Sequence, residues 1–269
     1  MTIGHGRANW KDSGAIKLER TSELIAELRR EIDTFHKGSP YQLVASTEPQ
    51  SGDHVVHVRI LATPPLRWAA LIGDAIHNLR SALDLLVWQL VLINGAVPGK
   101  QNAFPIYDTL SDFVSGYARQ LCGVAAPAVN TVRSLNPYEA GNRTLWLLHR
   151  LDIIDKHRVL VPAYSSVGTT IIDFSVGLKK LMPEAGSVPP MPIGINWADP
   201  SCPVQDGEEL WRVKADQREH VDLNPNFTFT VALAPDTPVK KGMSVVTLLD
   251  ELTAETMRVV ALFPEIVTT

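Results

Sequence analysis

The stretch "LIGDAIHNLRSALDLLVWQL", residues 71–90, constrains the fold more than any other part of the chain. Its apolar positions recur at the spacing of a helix buried on most sides. It nevertheless carries Asp74, His77, Arg80 and Asp84. Charged side chains are rarely buried unless they are paired. At about 100° per residue, Asp74, His77, Arg80, Ser81, Asp84 and Trp88 fall within roughly one third of the circumference, opposite Leu79, Leu83, Leu86 and Leu90. A polar stripe of this kind ordinarily faces water. Here the flanks Ile76, Val87 and Val91 are apolar, and acid and base alternate at i, i+3 and i+4, which suits pairing.

A second helix able to meet that stripe is "NRTLWLLHRLDIIDKHR", residues 142–158. Asn142 is a good N-cap. His149, Arg150, Asp152, Asp155, Lys156, His157 and Arg158 alternate with Leu151, Ile153 and Ile154. Arg150 and His157, seven apart, lie within about 20° of one line, as do His149 and Lys156, with Asp152 and Asp155 towards the opposite edge. The two segments are expected to pack together, bringing His77, Arg80 and Asp84, with Asp74 beside them, to Asp155, Lys156, His157 and Arg158.

The remaining chain reads as α+β. Leu18, Ile25, Leu28, Ile32 and Phe35 mark an amphipathic helix over about 14–36, a seam open to either core packing or a homodimer. "YQLVASTEPQSGDHVVHVRILA" predicts a hairpin turning at Pro49 and Gly52. Residues 94–140, rich in Pro, Gly and Ala, hold one short helix near Ser111–Leu121. "VLVPAY", "TTIIDFSVG", "ELWRVKA" and "FTFTVALA" are β-rich, with Pro189, Pro190 and Pro192 in a loop between them. Ser244 can cap a last helix. The expected architecture is one domain, 1–269: helix-rich over 1–158, β-rich over 159–235, and a C-terminal helix over 244–263 returning to the helical layer. That makes three or four long helices beside an antiparallel sheet.

Composition narrows the function classes. A net charge of -4 argues against coating nucleic acid by charge alone. The two cysteines, Cys122 and Cys202, are in no metal-ligand spacing and suit a reducing compartment. The N-terminus has no apolar signal segment, and Leu85–Ile93, interrupted by Gln89, is too short to span a bilayer. A cytoplasmic protein without membrane contact is expected. No glycine-rich phosphate loop and no Gly-x-Ser-x-Gly elbow occurs, so no cofactor is implied.

"GDAIHNLRSALD" followed by "LHRLDIIDKHR" resembles an uncharacterised group of bacterial and phage-type proteins sharing GD-x-x-HNLRSALDH and a later L-x-x-x-DKHR. The match covers about thirty residues and implies no activity. The chain departs from it at Leu85, where the group often has His. Arg150, six intervening residues and His157 also fit the Arg-x4–6-His pattern of the HEPN superfamily, whose helical domains cut RNA at a dimer interface. On that resemblance Arg150 clamps the scissile phosphate and His157 moves the proton, without metal.

Three functions therefore stand side by side. The first is a non-catalytic or interaction protein whose ion pairs lock two helices. The second is the HEPN-like ribonuclease. The third is a carboxylate–histidine metal site built on Asp74 and His77, completed by Asp152 or His149, against which the fixed cations Arg80, Lys156 and Arg158 weigh.

Overall fold

The computed structural model describes residues 10–158, 160, 162–165, 196–197, 204–216 and 229–263. These residues form an α+β fold. The helices are α1 (Trp10–Lys37), α2 (Arg67–Ile93), α3 (Leu110–Gln120), α4 (Ala126–Ser134), α5 (Arg143–His157) and α6 (Val245–Ala261). The strands are β1 (Tyr41–Thr47), β2 (His54–Ile60), β3 (Pro162–Ser165), β4 (Asn196–Trp197), β5 (Glu209–Val213) and β6 (Thr230–Leu233).

The segment 71–90 lies at the centre of the described helical core. Helix α2 packs against α1, α5 and α6. Ile72, Ile76, Leu79, Leu83 and Leu86 are fully enclosed in one core with Leu28, Leu145, Leu148, Leu249 and Val259. By length and composition α2 also qualifies as a membrane span, the one such helix among the described residues. That corrects the expectation that no stretch is long enough to cross a bilayer. Its burial among helices accounts for the apolar composition instead.

The apolar seam of α1 faces α2. Ile25 and Leu28 are buried, and Leu18, Ile32 and Phe35 pack partly buried on the same core. Phe35 meets Trp68 edge-on at 5.2 Å, and the Trp68 indole donates to Glu31 at 2.8 Å. Core packing thus occupies the surface the sequence left open to a homodimer. Helix α6 closes the layer. Ser244 stands at its N-cap, as expected, but its side chain makes no capping bond; its backbone bridges to Ala232 instead.

Residues 94–140 contain two helices where one is expected. Helix α4, "APAVNTVRS", carries Pro127 in its first turn, where the missing N–H costs nothing. At nine residues it has too short a period to separate from a loop by pattern.

Strands β1 and β2 form the expected hairpin, in register from Tyr41↔Ile60 to Thr47↔His54. Gly52 takes φ +76° in the turn, which a side chain would resist. The sheet order is β1-β2-β5-β4, with antiparallel pairing between neighbours. Its own core is Val56, Val58, Leu210, Trp211, Val213 and Phe229, and Phe35 touches both cores. A separate ribbon pairs β3 with β6, whose Val231 and Leu233 join the helical core. The expected strand "TTIIDFSVG", the Pro189–Pro192 loop and Cys202 lie outside the described residues.

Candidate functional site

The site is the seam between α2 and α5, and Asp152 is its hub. On α5, Leu145, Leu148 and Asp152 follow one another at i, i+3 and i+7, so Asp152 lies on the inward, apolar line of the helix. Its side chain is 3% exposed. Asp152 Oδ1 is 3.0 Å from His77 Nδ1, and Lys156 Nζ donates to Oδ2 at 2.6 Å. The imidazole of His77 is 53% exposed, so a buried carboxylate holds a half-open ring. On the far side of that ring, Ser81 Oγ lies 3.4 Å from Nε2, the outer limit of a hydrogen bond.

The second half of the seam faces inward. The Arg80 side chain is 8% exposed and pairs with Asp84 Oδ1 at 2.8 Å. Arg80 Nη2 also donates to the Phe104 carbonyl at 2.9 Å, while the Phe104 N–H donates to Asp84 Oδ1 at 2.8 Å. One i, i+4 ion pair therefore satisfies both backbone groups of a buried residue in the 94–109 connection. Buried backbone groups left unpaired would each cost about 1–3 kcal/mol, so this clamp decides where that connection lies. Burial pushes the Asp84 carboxyl above its usual range, against the opposing pull of Arg80 and the Phe104 N–H.

Asp155 packs on the backbone of Gly73, where a Cβ would collide with both carboxylate oxygens. Burial, with Asp152 and Asp74 nearby, raises its pKa; His77 and the backbone of Leu160 oppose that rise. Glycine at position 73 is thus a close-approach residue between α2 and the last turn of α5. His149 sits deeper in the seam. Its burial, together with the Arg80 charge, pushes its imidazole down from 6.5 to about 4, despite Asp152 and Asp108. It is neutral at pH 7.

Of the residues singled out from sequence, the fold groups His77, Asp155 and Lys156 around Asp152 and joins Arg80 to Asp84. The field of Asp152 and Lys156 reaches Asp84. Asp74 lies on the exposed rim, and its backbone carbonyl accepts from the buried Asn78 amide at 2.7 Å. Three others stand apart. Arg158 pairs with Asp236, in the connection before α6. His157 is exposed at the end of α5. Arg150 reaches Asp108 at 3.8 Å, beside the Trp146 indole, which donates to the same carboxylate at 2.8 Å.

The sequence expectations hold Asp152 only as an optional metal ligand on the far edge of α5, and Phe104 not at all, yet both stand at the centre of the site. Asp152 was detectable, because it continues the Leu145–Leu148 line. Phe104 contributes backbone atoms only, which leave no side-chain signal.

The seam does not form a metal shell. Among the described residues no group of three His, Cys, Asp or Glu side chains is placed to hold an ion, and Lys156 already occupies one oxygen of Asp152. What the described side chains offer chemically is an imidazole held by a buried carboxylate, able to exchange a proton with a bound group, and charge pairing. Comparison of the chain with protein-family models, curated proteins and solved structures returned no match.

Proposed function

We propose that this chain is a non-catalytic binding module of the cytoplasm, in which the α2–α5 seam is a structural lock. The observation that carries this reading is the His77–Asp152 contact, which ties α2 to α5 through a buried carboxylate, while the neighbouring Arg80–Asp84 pair is likewise spent on structure, its charges directed at the two backbone groups of Phe104. Magnitudes point the same way. Two charge-assisted hydrogen bonds to Asp152 contribute about 1.5–3 kcal/mol each. Burying a carboxylate costs several kcal/mol, so the assembled seam adds little net stability. What it supplies is register: a slip of α5 along α2 would separate Asp152 from His77 and leave its buried carboxylate with Lys156 of its own helix alone. On this reading the GD-x-x-HNLRS-x-x-D resemblance is a packing signature, since Gly73, His77, Asn78, Arg80 and Asp84 each hold a neighbour. An exposed free thiol, Cys122, suits a reducing compartment.

One observation favours a second reading, an acid–base site acting on RNA. A half-exposed imidazole oriented by a buried carboxylate, with a lysine beside it, is the geometry of a general base. Arg150 and His157, the HEPN-like pair, remain partly or fully exposed on the same helix. An RNA-cleavage assay separates the readings. The lock predicts that purified protein cleaves single-stranded RNA no faster than a His77→Ala, His157→Ala, Arg150→Ala triple variant prepared identically. Cleavage lost in His77→Ala alone establishes the acid–base reading, and cleavage lost in His157→Ala or Arg150→Ala establishes the HEPN-like one.

A further inference from the structure

Helix α3 has an apolar face that its own fold leaves half open. Leu110, Phe113, Val114 and Tyr117 recur at i, i+3, i+4 and i+7, on one side of the helix, with Asp112 and Arg119 near the opposite side. Phe113 is buried and stacks on Tyr117 at 5.3 Å. Leu110 and Val114, one turn apart, remain 54% and 60% exposed. A surface helix whose apolar stripe is complete but uncovered at one end has a place for something else.

That open end is one wall of a cleft of about 430 Å³, within the size range of small-molecule sites. The facing wall is polar and comes from α4: Asn130, Arg133 and Ser134, with Asn136 just beyond. The Ser134 hydroxyl is committed to the Thr131 carbonyl, and the Asn136 amide to Ser134 and Tyr138. Arg133 is different. Its guanidinium lies 5.2 Å over the Tyr117 ring, which holds it in the cleft, and among the described residues no carboxylate pairs with it. Stacking on an aromatic face uses the plane of a guanidinium and leaves its N–H edges free. A guanidinium with no carboxylate partner among the described residues, lining the same cleft as two exposed aliphatic side chains, suits a ligand with the complementary pair of features.

We infer that the α3–α4 cleft binds a small organic carboxylate, its apolar body on Leu110 and Val114 and its anionic end on Arg133. The inference rests on the binding-module reading for its meaning and on α3–α4 geometry for its content. The test is titration of the full chain with 2-naphthoate, followed by amide NMR shifts, alongside 2-naphthamide as the neutral isostere. Saturable shifts confined to α3 and α4 are expected, with about tenfold weaker binding of the amide, about 1.4 kcal/mol. Arg133→Gln and Val114→Asp, both at exposed positions where the fold tolerates change, should each weaken 2-naphthoate about tenfold. Absence of saturable shifts up to the solubility of the probe overturns the assignment, as does equal affinity for the amide or for Arg133→Gln. Such a failure removes the cleft ligand and leaves the seam untouched. Seam-dependent RNA cleavage would instead remove the binding-module reading and leave the titration standing.

Discussion

Asp152 accepts from His77 at 3.0 Å through one oxygen and from Lys156 at 2.6 Å through the other, so a carboxylate on the buried side of α5 is covered by two half-exposed cap groups. Removing it leaves both caps able to return to water. Asp152→Ala should therefore cost about 2 kcal/mol, below the 3–5 kcal/mol of a fully buried broken pair. The triple change Asp152→Leu, His77→Leu, Lys156→Met should regain stability to within about 1 kcal/mol of the parent. Urea denaturation checks both; a loss under about 0.5 kcal/mol in Asp152→Ala would show that the hub holds nothing.

Gly73→Ala tests the close approach of α5. The added methyl meets the Asp155 carboxylate, and overpacking of this kind costs about 1–3 kcal/mol. Pairing it with Asp155→Ala should restore much of that loss, because the colliding group is gone. Additive destabilisation in the double variant would place the strain elsewhere.

At the Phe104 clamp, Asp84→Asn keeps an oxygen to accept the Phe104 N–H but gives up the charge that pairs with Arg80. Asp84→Ala loses both. Thermal denaturation should rank them parent, Asn, Ala, with the Ala variant about 2 kcal/mol down and the Phe104 amide exchanging faster with solvent. Unchanged exchange at Phe104 in Asp84→Ala would mean the backbone group is held by something other than Asp84.

The seam also sets a pH response, and its groups act in opposite senses. His149 has a native pKa lowered to about 4 from 6.5, so its contribution is present above 6.5 and is lost as pH falls towards 4. The full difference corresponds to about 3 kcal/mol. Asp84 and Asp155, whose native pKa values are raised, favour the protonated native state; their contribution is present below their unfolded values and lost as pH rises through the native ones. Acid destabilisation between pH 6.5 and 4 should therefore be flattened in His149→Gln. An identical slope in the variant would assign that window to other groups.

Local chemistry in the sequence determined the elements. The 3–4-residue apolar period marks α1, α2, α5 and α6, Pro49 and Gly52 mark the hairpin turn, and Asn142 is the α5 cap, its side chain accepting from the Leu145 N–H. These signals act within a few residues of one another, so they survive without knowledge of the partner. Which edge of α5 meets α2 was decided only by tertiary packing. The aligned side chains Arg150 and His157 stand out on the helix, but burial of Leu145 and Leu148 carries Asp152 inward and turns those side chains towards Asp108 and solvent. The same holds for Arg80 and Asp84, whose target is the backbone of Phe104, twenty-four and twenty residues along the chain. A peptide group has the same donor and acceptor at every position, so nothing in the sequence distinguishes that one until the fold brings it to the charges.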